Sequence, residues 1–76
     1  MTYTPQQLAA IRAAGRAVVD AVRAAGDLGA PAGVVYAALM HAGCTLSQFH
    51  GLVGGLIRGG YLDRRGDLLF VTAKLF

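Results

Sequence analysis

Residues 45–60 of the chain read TLSQFHGLVGGLIRGG, and this stretch predicts a helix whose two ends are both marked. Thr45 is an N-cap residue, and Gln48, three positions later, completes a capping box. Apolar residues recur after the cap at helical spacing, which indicates one buried face. The residues on that face are Leu46, Phe49, Leu52, Val53, Leu56 and Ile57. The pair Gly59-Gly60 stops the pattern, so we predict a helix over residues 46–58.

The flanking segments predict two more helices and a hairpin. Thr4-Pro5-Gln6-Gln7 is a second capping signature, and the apolar spacing after it predicts a helix over residues 5–25. Another helix, which starts at a proline and stops before a glycine, is predicted over residues 31–42. Two apolar runs flank the turn Arg65-Gly66-Asp67 and predict an antiparallel hairpin over residues 61–72. The expected fold class is therefore mostly α with a small β-hairpin, an α+β fold.

Length, cysteine usage and charge narrow the class of protein. A chain of 76 residues is near the lower limit for one hydrophobic core, which predicts one domain over residues 1–76. The single cysteine, Cys44, excludes an internal disulfide and is typical of a reducing compartment, so we expect a cytoplasmic protein. No signal peptide and no stretch of roughly 18 apolar residues is visible, so no membrane partner is expected. The net charge of +3 favours a polyanionic partner.

Residues 32–72 carry a likeness to a known fold. The positions that carry it are Val35, Leu39, Gly43, Thr45-Leu46-Ser47, Leu52, Val53, Leu56, Ile57, Gly60-Tyr61-Leu62 and Asp63-Arg64-Arg65-Gly66-Asp67. In their order of helix, turn, helix and basic-tipped hairpin, they resemble winged helix-turn-helix DNA-binding domains of bacterial or phage type. The resemblance implies that the third helix enters the major groove and that the hairpin, as the wing, touches the DNA backbone or minor groove.

The resemblance also implies a set of DNA-facing side chains. They are Ser47, Gln48, His50 and Arg58 on the third helix, and Arg64 and Arg65 in the wing. Capping alone would account for Ser47 and Gln48 as residue types. An ordinary solvated hairpin tip would account for Arg64 and Arg65, with neighbouring aspartates partly neutralising them.

The third helix has glycine at three positions where the helices of such domains usually have long polar side chains that contact DNA. Gly51, Gly54 and Gly55 lie on the predicted outward face, and each costs roughly 0.8 to 1 kcal/mol relative to alanine inside a helix. A close-packed surface would offset that cost. Two partners remain open, because the missing side chains let the helix backbone approach either DNA phosphates or a helix of another protein.

Side chains that carry catalytic or metal chemistry are few. His41, Cys44 and His50 are the candidate ligands, and their spacing matches no structural zinc pattern, so no metal and no cofactor are expected. Cys44 also lacks an acidic or amide residue placed to orient a histidine base, so we expect no enzyme activity.

These observations predict a DNA-binding winged-helix protein, a small transcriptional regulator that binds double-stranded DNA as a homodimer. The alanine-rich first helix offers a low-profile side through which two copies would associate. The alternative is a protein-interaction module on the same scaffold, such as a small phage or plasmid accessory protein that binds a protein partner. Steep salt dependence of binding would favour DNA, because binding to DNA releases counterions.

Overall fold

Three helices and three short strands follow one another in the computed structural model, which describes residues 3–76. The elements are α1 (Pro5–Ala25), which a short 3-10 turn (Gly26–Leu28) follows, β1 (Ala30–Pro31), α2 (Ala32–Met40), α3 (Leu46–Arg58), β2 (Leu62–Arg65) and β3 (Leu68–Val71). The strands form one antiparallel sheet in the order β1-β3-β2. The prediction of a mostly helical α+β fold is confirmed.

Capping boxes set the starts of the two longest helices. At α1 the Gln7 amide donates to the Thr4 hydroxyl at 3.1 Å, and the Thr4 amide donates to the Gln7 side chain at 2.9 Å. Thr45 and Gln48 repeat the same pair of bonds at α3. These bonds satisfy amides that have no partner within the helix. The predicted bounds of both helices, 5–25 and 46–58, are confirmed.

The middle helix is shorter at both ends than the predicted range of 31–42. Pro31 belongs to β1, where it pairs with Leu68, so α2 begins one residue later. At the other end the amide of Gly43 donates to the Met40 carbonyl at 3.0 Å, and Gly43 has a φ of 91°. This tight turn ends the helix at Met40, because only glycine adopts such a φ without strain.

Strand β1 replaces part of the loop predicted between the first two helices. It has two residues, Ala30 and Pro31, and Ala30 pairs with Leu69 of the central strand. Gly29, which precedes it, has a φ of 80°, and a Cβ there would lie 2.7 Å from Cζ of Phe70. Glycine is therefore needed for the chain to cross the sheet at this point. Two residues are too few for strand periodicity to predict.

The core lies between the sheet and one face of each helix. Its buried residues are Val18, Val19, Val22, Ala30, Val35, Leu39, Phe49, Val53, Leu56, Leu62 and Leu69. Leu46, which is predicted to lie on the buried face of the third helix, is 51% exposed instead, and Val34 of α2 is 65% exposed. Leu46 is the first residue of α3, at the end of the helix beyond the core. Val34 lies on the side of α2 that points away from Val35 and Leu39, the buried residues of that helix.

Candidate nucleic-acid interface

The solvent-facing side of α3 is the first candidate surface. Helical spacing places Ser47, Gly51 and Arg58 opposite the buried residues of the helix, Phe49 and Val53 among them. All three of these outward residues are exposed. The sequence of α3 contains no acidic residue, so nothing on this helix would repel a phosphate. The structure therefore brings Ser47 and Arg58, two of the predicted DNA-facing residues, onto one face.

Gln48 and His50 lie on opposite flanks of that face. Both are exposed, but the Gln48 carbonyl oxygen accepts the Thr45 amide at 2.9 Å, so it already serves the helix cap. Only the NH₂ group of that side chain is left to donate to a partner. The His50 ring lies 6.1 Å from the ring of Phe49, at the edge of the core. Both side chains border the candidate surface, and neither lies at its centre.

Arg58 covers part of the glycine face of α3. Its guanidinium folds back along the helix, with Nη1 3.3 Å from where a Cβ of Gly54 would lie and Nη2 4.0 Å from that of Gly55. A partner that contacts the backbone at these two glycines must first displace the arginine. Gly51 is different, because nothing lies within 4 Å of its Cβ position. Of the three glycines on the predicted outward face, Gly51 is thus the one that no side chain covers.

The hairpin separates the two arginines that the sequence places side by side. Side chains of consecutive strand residues point to opposite faces of a sheet. Arg64 pairs in register with the buried Leu69, and its Nε donates to the Gly66 carbonyl at 2.8 Å. Arg65 lies on the other face, where its Nε is 3.6 Å from the Asp63 carboxylate. Arg64 and Arg65 therefore do not form one basic patch.

Arg65 is held by two neighbours that the sequence pattern did not single out. Besides its ion pair with Asp63, its guanidinium carbon lies 5.1 Å from the centre of the Phe70 ring. Asp63 and Phe70 face each other across the two strands, and Arg65 lies on the same sheet face by strand alternation. That alternation was the signal in the sequence that could have identified the cluster. The charge of Arg65 is partly neutralised, whereas Arg64 has no ion pair within residues 3–76.

His41, Cys44 and His50, the candidate metal ligands in the sequence, do not form a metal-binding cluster. Within the described residues, no group of three histidine, cysteine or acidic side chains lies close enough to hold a metal ion. Cys44 is half-buried against the core, and its thiol donates to the Thr45 carbonyl at 3.5 Å. Among the helices of residues 3–76, none combines the length and the hydropathy that a bilayer crossing requires.

Comparison of the chain with family models, with curated proteins and with solved structures finds no match. The site is therefore defined by its own geometry. That geometry comprises the exposed face of α3, centred on Gly51, the arginine at the end of this helix, and Arg64 at the hairpin.

Proposed function

We propose that the chain is a small DNA-binding regulator of winged helix-turn-helix type, which works in the cytoplasm as a homodimer and without a catalytic step. The observation that carries the proposal is the exposed face of α3, where Ser47 and Arg58 flank the bare Gly51 on a helix without acidic residues. The order of the elements and the sheet order β1-β3-β2 support the winged-helix part of the proposal, with β2 and β3 as the wing.

In this mechanism α3 enters the major groove of duplex DNA, which is about 12 Å wide and admits a helix. The missing side chain at Gly51 lets the helix backbone lie close to the DNA. Ser47, in the first turn, donates to a base edge or a phosphate oxygen, and Arg58 swings away from Gly54 to bind a phosphate. Binding would then be steeply salt-dependent, because each neutralised phosphate releases counterions.

The direct test is a fluorescence-anisotropy titration of the full chain against mixed-sequence duplex DNA at several salt concentrations. Micromolar or tighter binding that weakens steeply with salt would support the proposal. Absence of binding at low salt would contradict it.

Glutamine in place of Arg64 is expected to weaken DNA binding more than glutamine in place of Arg65. Arg64 has no carboxylate partner within residues 3–76, whereas Arg65 is held by Asp63 and Phe70. Loss of one phosphate contact should reduce the slope of log K against log salt by about 0.9. The two variants remove the same charge from adjacent positions, so each controls for the other. Equal slopes for wild type and R64Q would mean that Arg64 does not contact a phosphate.

An uncovered part of α1 supports the homodimer. Leu8 and Ile11 continue the helical stripe that Val18 and Val22 bury in the core, yet they are 42% and 39% exposed. Packing of this stripe of α1 against α1 of a second copy would remove both side chains from water, and it would use a different side of the helix from the alanine-rich side that the sequence favours. Two copies would also present two α3 helices to a palindromic site, as helix-turn-helix proteins do.

Glutamine at both Leu8 and Ile11 is therefore expected to convert the dimer to a monomer, measured as the mass in solution by light scattering over a range of concentrations. Val34→Gln is the matched control, because Val34 is 65% exposed on a different helix. Dissociation by the α2 variant instead would assign the interface to α2. A wild-type chain that stays monomeric at all concentrations would rule out the homodimer.

A second candidate function is a protein-interaction module, and the outer side of α2 favours it. The nine residues of α2 include no charged side chain, and Val34 and Met40 are 65% and 51% exposed. A helix that is apolar on all sides is usually covered by another element. Tyr36 is not part of this exposed surface, because its ring packs 5.3 Å from that of Phe49. In this alternative a protein partner covers α2, and binding depends weakly on salt.

A further inference from the structure

A shallow depression between α1 and Phe76 lies apart from the exposed face of α3 and from the hairpin. Arg12, Arg16, Tyr61 and Phe76 line it. The Phe76 ring lies directly on α1 at Gly15, where a Cβ would be 2.9 Å from Cζ of the phenylalanine. The same ring meets Tyr61 edge-on, with the ring centroids 5.3 Å apart. The floor of the depression is thus formed by two aromatic rings in contact, and Gly15 provides the space for the Phe76 ring.

The walls of this depression are basic. Arg12 and Arg16 are one helical turn apart, and neither forms an ion pair within residues 3–76. The acidic residue of α1, Asp20, pairs with Arg23 at 3.3 Å instead. Like charges at this spacing destabilise a helix by a few tenths of a kcal/mol. The arrangement is therefore slightly unfavourable until an anion binds between the two side chains.

A third cation borders the same aromatic floor. The Lys74 ammonium lies 4.5 Å from the centre of the Tyr61 ring and donates to the Gly59 carbonyl at 2.7 Å. One hydrogen bond leaves two of its N–H groups available. Gly59 directly follows Arg58, so Lys74 connects the depression to the basic end of α3. The backbone of this segment is held as well, because the Thr72 hydroxyl donates to the Gly60 carbonyl at 2.5 Å.

We propose that this depression binds a phosphate group, held by the guanidinium groups of Arg12 and Arg16, with the Lys74 ammonium nearby on the Tyr61 ring. Guanidinium groups bind phosphate oxygens through paired N–H donors. The aromatic floor excludes water from one side of the site and so strengthens these interactions. The site itself is independent of the DNA-binding function. Its assignment to a phosphate of the DNA backbone, beyond the segment that α3 touches, rests on that proposed function.

The first measurement is an NMR titration of the ¹⁵N-labelled full chain with inorganic phosphate, with chloride at matched ionic strength as the reference. Saturable shifts are expected at the amides of Arg12, Arg16 and Tyr61. They should be lost in R12Q and in R16Q and retained in R23Q, which removes the same charge from an exposed position of the same helix. Glutamine is close to arginine in helix propensity, so all three variants should fold.

The second measurement is the salt dependence of DNA binding by the same variants. A slope reduced by about 0.9 in R12Q or R16Q, and unchanged in R23Q, would identify the ligand as a backbone phosphate. Phosphate binding with unchanged DNA slopes would support the site and assign it to a free phosphate or nucleotide. Phosphate binding by a chain that does not bind DNA would refute the proposed function and leave the site intact. No saturable phosphate shifts together with unchanged slopes would overturn the inference.

Discussion

Leu69→Ala is expected to lower the free energy of unfolding by about 3 kcal/mol, the middle of the range for a leucine truncated in a packed core. Leu69 is completely buried in the central strand, between Ala30 of β1 and Arg64 of β2. Its side chain lies where the sheet meets the helices, so the cavity would open at the centre of the core. Domains have only about 5–15 kcal/mol of stability in total. The loss would therefore be a large fraction of the whole.

Urea denaturation followed by circular dichroism measures this loss as a lower transition midpoint with a similar slope. Leu75→Ala is the matched control, because it makes the same chemical change at a side chain that is 82% exposed. We expect that control to change the free energy of unfolding by less than about 0.5 kcal/mol. Equal stability of the two variants would mean that β3 does not pack on the helices as described.

The sequence predicts those parts of the fold that are set by residues close together in the chain. The bounds of α1 and α3 are correct because Thr4 and Thr45 each form a capping box within a few residues. Strand β1 and the end of α2 are set by distant partners instead. Pro31 belongs to the sheet because it pairs with Leu68, thirty-seven positions later. No local sequence pattern predicts that pairing. The helix predicted to start at Pro31 therefore starts one residue later.

The candidate site is likewise predicted from the sequence only in part. Helical periodicity places Ser47, Gly51 and Arg58 on one face, and the structure agrees. Periodicity does not reveal that Arg58 lies over Gly54, because the rotamer of an exposed arginine is not a property of the pattern.

The depression beside α1 could not be predicted from the sequence, because a tertiary contact forms it. Arg12 and Arg16 lie one turn apart on α1, and they acquire an aromatic neighbour only when Phe76 packs on Gly15. That contact joins positions sixty-one residues apart. The helical pattern of α1 contains no information about it, so the phosphate site could not be predicted from that helix alone.

Gly51→Glu and Gly51→Arg are expected to affect DNA binding in opposite directions. Nothing lies within 4 Å of the Cβ position of Gly51, so either side chain fits without a clash. Both residues are better helix formers than glycine, so both variants should be at least as stable as the wild type. A glutamate at the centre of a DNA-facing surface would repel phosphates, whereas an arginine would attract them. We expect Gly51→Glu to lose at least about tenfold in affinity, or about 1.4 kcal/mol, and Gly51→Arg to bind as tightly as wild type or more tightly.

The two variants also distinguish the two proposed functions, because both add a long side chain and the charges of these side chains are opposite. Fluorescence anisotropy against duplex DNA reports the charge effect, and thermal melting of each variant confirms that it is folded. If the face of α3 instead seats a partner protein, both long side chains hold that partner away from the backbone, and both variants lose binding alike. Unchanged DNA binding in both variants would mean that α3 does not face the DNA. The exposed apolar side of α2, with Val34 and Met40, would then become the better-supported contact surface.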